Sequence, residues 1–208
     1  MTAKGNLIIV SGPSGAGKSA ISAGVLQQVP GLRFSVSYTT RPPRGSEQHG
    51  VDYRFVTRDE FDGLIQIGEL LEWAEVYGNL YGTSRKSIEK ILAGGEDVLL
   101  DVDVQGARTI CRKMPDATSI FIMPPSYGVL RERLEERRLD KDYIIEQRLR
   151  VACEEIRQYQ DYDYLIINHD LGRAVEDLRA IVTGSRCCMR RRTEDAKAIV
   201  ATFGGVNA

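Results

Sequence analysis

The sequence is poor in the residues on which several kinds of chemistry depend. Its 208 residues include four cysteines, two histidines and one tryptophan. Cys111, Cys153, Cys187 and Cys188 lack metal-ligand spacing, and the adjacent pair does not readily close on itself, so neither a zinc site nor a disulfide scaffold is indicated. A reduced, cytoplasmic chain is expected. His49 and His169 lie in turn-like sequence without a paired carboxylate, which leaves them solvated and gives them no catalytic part. An excess of either charge is also missing: 28 basic and 29 acidic residues give a net charge of −1. That balance offers no general grip on nucleic acid or on an anionic membrane, so any anion has to be held locally. No apolar run approaches the ~20 residues that span a bilayer, no basic-then-apolar leader opens the chain, and no repeat or low-complexity tract occurs. The length suits one core with room for an inserted subdomain.

What the chain does have is a glycine-rich turn, Gly12-Pro13-Ser14-Gly15-Ala16-Gly17-Lys18-Ser19. It is entered from the apolar run Leu7-Ile8-Ile9-Val10 and left through Ala20-Ile21-Ser22-Ala23. A buried strand feeding such a turn and then a helix is the pattern of a phosphate-binding loop: backbone N–H groups converge on phosphate oxygens where the helix begins. Lys18 supplies a mobile cation for the β- and γ-phosphates, and the Ser19 hydroxyl a ligand for magnesium completed by phosphate oxygens and water. Nothing in an ordinary strand-to-helix turn calls for Lys-Ser directly after the third glycine.

A helix marked by Ile21, Val25 and Leu26 stops near Pro30-Gly31. From Phe34 the texture becomes polar and prolyl, with short antiparallel strands expected at Asp52 to Val56 and Leu80 to Thr83. Between them Thr57 and Glu60 form a capping box that opens a helix carrying Phe61, Leu64 and Ile65. A helix over Ser84 to Leu92 ends at Gly94-Gly95, and Val98 to Asp103 follows as an apolar strand ending in two acids. Ser119 to Met123 is a further buried strand, and a helix with Leu130 and Leu134 starts after Pro124-Pro125-Ser126. Arg133 and Arg137 lie four apart on one helical face, Leu139 to Tyr143 is expected as a loop, and Ile144 to Ile156 forms a helix carrying Arg148. Two helices joined by a short polar tip suggest a lid. Tyr164 to Ile167 is the last expected strand, and a final helix buries Ala174, Val175, Leu178, Ile181 and Val182. Beyond Arg186 a solvated helix end and a frayed tail are expected.

A phosphate-binding loop serves ATPases, GTPases, kinases and motors alike, so function has to come from a second constellation. Arg41, Arg44, Tyr53 and Tyr81 suit a dianionic monophosphate, because guanidinium forks pair bidentately with phosphate oxygens and phenols donate further bonds. Glu72, among apolar neighbours, can accept two N–H bonds from a base edge, and guanine offers N1–H and N2–H together. Trp73 is expected in the core.

Ser37-Tyr38-Thr39-Thr40-Arg41-Pro42-Pro43-Arg44, Glu47, Gly50-Val51-Asp52-Tyr53, Glu72-Trp73-Ala74, Gly78-Asn79-Leu80-Tyr81-Gly82-Thr83 and Asp101-Val102-Asp103-Val104-Gln105-Gly106 strongly resemble guanylate kinase, from about Gly5 to about Arg186. The resemblance implies an α/β fold with a three-layer phosphate-loop NTPase core, a mostly parallel sheet, an inserted mixed α+β GMP-binding subdomain and a helical lid. The core would cover about 5–33, 95–130 and 158–190, the subdomain about 34–94 and the lid about 131–157, with a tail over 191–208. It also implies transfer of a phosphoryl group from ATP to GMP with magnesium, and small nucleotides as partners. By the same carry-over Arg41, Arg44, Tyr53 and Tyr81 hold the GMP phosphate with Glu47 orienting the arginines, while Ser37, Glu72 and Thr83 read the guanine edge. Asp101 and Asp103 sit between nucleotide and metal with their separate roles open. Arg133, Arg137 and Arg148 match the lid arginines, and Asn168 falls where the family meets adenine. Where the family usually has Arg-Pro-Gly-Glu, this chain has Arg44-Gly45-Ser46-Glu47, which implies a looser turn. Two rivals remain: a kinase for another phosphorylated acceptor such as a sugar phosphate, and an inactive protein-binding module of the same fold. Monomer and homo-oligomer are both left open.

Overall fold

The computed structural model describes residues 4–76, 78–136 and 142–203. Five strands form a parallel sheet: β1 (Leu7–Ser11), β2 (Leu32–Phe34), β7 (Asp97–Asp101), β8 (Thr118–Met123) and β9 (Tyr164–Ile167), in the order β2-β7-β1-β8-β9. The central strand β1 is buried along its whole length, which is why its sequence is continuously apolar rather than alternating. Its side chains divide by parity between the two faces. Ile8 and Val10 join the cluster under α1 (Lys18–Gln28) and α7 (Leu171–Ser185), with Val25, Ile122, Ile166 and Leu178. Leu7 and Ile9 join the opposite cluster under α3 (Arg85–Ala93) and α4 (Val104–Lys113), with Ile88, Leu92 and Ile110.

A second, four-stranded sheet is inserted between β2 and α3, in the order β4 (Arg54–Phe55), β3 (Tyr38–Thr39), β6 (Asn79–Ser84), β5 (Leu70–Val76). α2 (Arg58–Gln66) packs Phe61 against Leu70 and Leu80 and opens on the expected capping box between Thr57 and Glu60. Two helices, α5 (Tyr127–Glu136) and α6 (Asp142–Ile156), pack together through Leu130, Leu134, Ile145, Leu149 and Ala152, and Arg131 pairs with Glu146 across them.

Several expectations need correction or refinement. The strands expected at Asp52 to Val56 and Leu80 to Thr83 do run antiparallel, but they do not pair with each other: β3 lies between them, parallel to β4 and antiparallel to β6. The strand before Asp103 ends at Asp101, and Asp103 caps α4 by accepting from Gly106 N at 2.7 Å. α4 itself is absent from the elements expected above, although the three-residue spacing of Val104, Ala107 and Ile110, all buried, is its signal. α7 is not the last helix: α8 (Met189–Phe203) continues through the stretch expected to fray, although none of its residues is buried. Finally, Trp73 is 49% exposed rather than core.

Candidate active site

Gly12, Gly15 and Gly17 take φ of 138°, 87° and 97°, values that L side chains rarely adopt. At Gly12 a Cβ would stand 2.2 Å from the Ile122 carbonyl oxygen, so the loop is pressed against β8. Pro13 O accepts from Ala16 N at 3.1 Å, closing a tight turn around Ser14. The turn delivers Lys18 and Ser19 to the N-terminus of α1, where backbone N–H groups have no partner within the helix. Lys18 folds back over its own loop, donating to Gly12 O at 2.7 Å and lying 4.0 Å from Asp101. Ser19 Oγ donates to Asp101 Oδ2 at 3.2 Å. Burial pushes the Asp101 carboxyl above its ordinary range, against the pull of Lys18 and Ser19.

Asn168, at the end of β9, is 4% exposed. Its Nδ2 donates to Ala16 O at 2.8 Å and its backbone carbonyl accepts from Arg133 at 3.0 Å. The residue expected at adenine thus braces the glycine-rich loop and holds Arg133 of α5. Its Oδ1 is buried and has no hydrogen-bond partner among the described residues. Arg148 lies on α6, while Arg137 falls outside the described residues.

The second cradle is built from side chains. Arg41 is only 7% exposed and makes a two-pronged pair with Glu47, Nη1 to Oε2 at 3.0 Å and Nη2 to Oε1 at 2.9 Å. Glu47 Oε2 also accepts from Arg44 N at 2.8 Å, and Glu47 N returns to Arg44 O at 3.1 Å. The turn expected to be loose is therefore pinned at both ends, with Gly45 at φ 53° taking a conformation closed to proline. Hydrogen bonding by Arg41 holds the Glu47 carboxyl below the usual range. The Arg41 guanidinium lies 5.4 Å from the Tyr53 ring centre, and Tyr53 meets Tyr81 edge-on at 6.0 Å. Desolvation, reinforced by Asp101, pushes the Tyr53 phenol up to about 12.

Glu72 reaches the site through an irregularity. Strand pairing slips between Leu70 and Glu72, so Leu70, Leu71 and Glu72 are buried in succession and Trp73 is turned out. Thr83 Oγ1 donates to Glu72 Oε1 at 2.6 Å. A Cβ at Gly106 would lie 3.1 Å from Glu72 Oε2, so glycine there leaves room for the carboxylate. Desolvation, with a lesser contribution from Asp103, pushes the Glu72 carboxyl up to about 7, against the hydrogen bond from Thr83. Ser37 is half-buried on the segment entering β3, where its carbonyl accepts from Arg54 N at 2.8 Å.

One residue escapes the sequence reading. Glu155, on α6, is pushed up to about 7 by desolvation, with Lys18 opposing and Asp103 adding to the shift. Its carboxyl therefore senses the charges of both the phosphate loop and the acid that caps α4. The available signal was its spacing from Arg148, seven residues and two turns along one helical face.

A parallel sheet with this loop at the carboxyl end of its first strand defines a P-loop nucleotide-phosphate-binding protein. The guanylate kinase family model matches residues 4–185. The chain is 47% identical over 200 residues to a guanylate kinase of Symbiobacterium thermophilum, covering 96% of this chain and 93% of the relative. It is 50% identical over 187 residues to one from Shewanella violacea, covering 89% and 90%. Among solved structures, guanylate kinase from Anaplasma phagocytophilum matches at a TM-score of 0.78 and 36% identity, over 91% of this chain and 90% of that one. The chain belongs to the guanylate kinase family.

Proposed function

We propose that this chain transfers the γ-phosphoryl group of ATP to GMP, giving ADP and GDP by direct in-line displacement. The observation that carries this reading is the presence of two unlike cation-bearing cradles with acids between them. Asp101 lies 4.0 Å from Lys18 and its charge is felt at Tyr53 of the Arg41 cradle. The loop backbone and Lys18 take the triphosphate, while Arg41, Arg44, Tyr53 and Tyr81 take the monophosphate. Ionised Glu72, held by the Thr83 hydroxyl, accepts N1–H and N2–H of guanine, with Thr83 and Ser37 as the further base readers, a pattern that neither adenine nor a sugar phosphate matches.

Ser19 Oγ and the Asp101 carboxylate are hard oxygen donors 3.2 Å apart, a set that fits magnesium. No group of three or more His, Cys, Asp or Glu is gathered for a metal among the described residues, so phosphate oxygens and water would complete the shell. When bound, the ion would supply charge neutralisation for the phosphates. The protein's own part is positioning and electrostatics. Lys18 leaves its resting contacts for the transferring group, and Arg133 and Arg148, with Arg137, meet the charge as the lid closes. No general base is needed, because the attacking phosphate oxygen of GMP is already largely ionised near neutral pH. Closure of lid and subdomain on both substrates excludes water as a rival acceptor.

A coupled assay with GMP, AMP, UMP and ribose 5-phosphate tests the reading. GMP is expected to be the preferred acceptor by orders of magnitude. Equal turnover of a sugar phosphate, or phosphoryl transfer to no acceptor at all, would replace this reading with one of its rivals.

A further inference from the structure

At the opposite end of the sheet from the phosphate loop, a cleft of about 280 Å³ is lined by Lys4, Arg186, Arg191 and Arg192, with Asp97 as its one acid among the described residues. Asp97 is already engaged: Oδ1 accepts from Asn6 N at 2.6 Å and Oδ2 from Arg186 Nε at 2.7 Å. The remaining cations exceed what that carboxylate neutralises. Arg191 donates to the Lys4 carbonyl, an uncharged partner, and Arg192 pairs with Asp195 through Nη1 alone. The Lys4 ammonium has no carboxylate partner among the described residues. Arg191 and Arg192 stand in the first turn of α8, so the positive end of that helix adds to the same field. In a chain of net charge −1 this is a local concentration of positive charge in which Lys4 and Arg191 have no carboxylate partner among the described residues.

We propose that this cleft is a second anion site, separate from the nucleotide sites, and that it takes a short phosphate chain of the pyrophosphate type. Arginine forks and a lysine suit closely spaced phosphoryl oxygens. The volume of about 280 Å³ has room for a short phosphate chain, and the groups that line it are cationic rather than the apolar and aromatic surfaces that would hold a base. The cleft borders the residues that precede β1, whereas the catalytic loop follows it. At about 3.3 Å per residue, the segment from Gly5 to Gly12 separates the two by roughly 20 Å. The site therefore neither overlaps nor extends the catalytic cradles.

The test fills the nucleotide sites of the full-length protein with saturating GMP and a non-hydrolysable ATP analogue, then titrates pyrophosphate by calorimetry and follows the melting temperature. One further equivalent is expected to bind, weakening with salt and raising the melting temperature. R191Q/R192Q is expected to weaken that equivalent about tenfold or more without changing GMP affinity. K4Q, which loses no ion pair within the fold, is expected to weaken it to a smaller degree. CDP, titrated in parallel, identifies the source of the chain: weaker binding than pyrophosphate assigns the cleft to a free chain, equal binding to the diphosphate of a nucleotide whose base stays outside, and either supports the site. Absence of any equivalent once the nucleotide sites are full, or an equivalent unchanged in both variants, would overturn the proposal.

Discussion

The two cradles proposed for phosphate are made of different material. The loop from Gly12 to Ser19 is a backbone device: three glycines take positive φ, and one of them is pressed against the Ile122 carbonyl, so the proposed binding groups are backbone N–H. The turn from Arg41 to Glu47 is a side-chain device, in which one carboxylate holds a buried guanidinium and a backbone N–H at once. Substitutions in the first should therefore act through geometry and the transferring charge, and those in the second through acceptor binding. The largest expected effect is that of Lys18→Ala. It removes the mobile cation without touching the core, so kcat should fall by about 10³-fold while GMP affinity and melting temperature stay near those of the parent. A comparable rise in the KM for GMP would mean that the two cradles are not separate.

Glu47→Ala should give the reverse division. Arg41 loses both prongs of its pair and Arg44 loses the acceptor that closes its turn, so the KM for GMP should rise about 10–100-fold with a much smaller change in kcat. Glu47→Gln keeps one acceptor and should recover part of that loss. Steady-state kinetics on both variants separates the orienting role of Glu47 from a general destabilisation, which would lower kcat and KM effects together with the melting temperature.

Acidity sharpens the contrast further, because Glu72 in the acceptor site titrates near neutrality. Its folded pKa is raised to about 7 from an ordinary 4.5. The neutral form carries a proton on one of the two oxygens that guanine needs as acceptors, so GMP affinity should improve as pH rises through about 7, with an apparent KM about tenfold higher at pH 6 than at pH 8. Stability runs the other way. A carboxyl whose folded pKa is raised favours the fold most below its unfolded pKa, and that contribution is lost as pH rises through about 7. Glu72→Gln removes that titrating group, so whatever pH dependence survives in the variant belongs to the second ionisation of the GMP phosphate or to Glu155, whose carboxyl is also pushed up to about 7. An unchanged profile would detach Glu72 from base recognition.

The same division explains what the sequence made visible. The loop was legible residue by residue because a backbone site demands glycine at fixed positions and tolerates little else. Arg41, Arg44 and Glu47 were legible as a group through a family resemblance, while the two-pronged pairing that joins them is a property of the folded turn. Glu72 is buried as its apolar neighbours suggest, but Trp73, expected in the core, is turned out because a slip in the β5–β6 register turns three consecutive residues inward. No local pattern announces such a slip. The parallel pairing of β3 with β4 was equally invisible, since two-residue strands do not encode their direction. Apolar sequence running up to Asp103 suggests a strand through it, yet its spacing from Gly106 is that of a helix cap.

One substitution, made once in each cradle, brings the comparison down to a single methyl group. At Gly45 φ is 53° and a Cβ would meet nothing within 4 Å, so Gly45→Ala incurs only the left-handed backbone penalty of roughly 1 kcal/mol. For a domain of this size that lowers the melting temperature by about 2–4 °C. Because Glu47 pins the turn from both sides, the KM for GMP should change by less than about threefold, an energy below 1 kcal/mol. At Gly12 the same methyl meets a carbonyl oxygen at 2.2 Å, and either the loop or β8 has to move. Gly12→Ala should therefore displace the N–H groups that face the phosphates and reduce turnover far more than it reduces stability. Thermal melts and steady-state kinetics on the pair check this directly: equal penalties at the two positions would show that both cradles depend on backbone shape to the same degree.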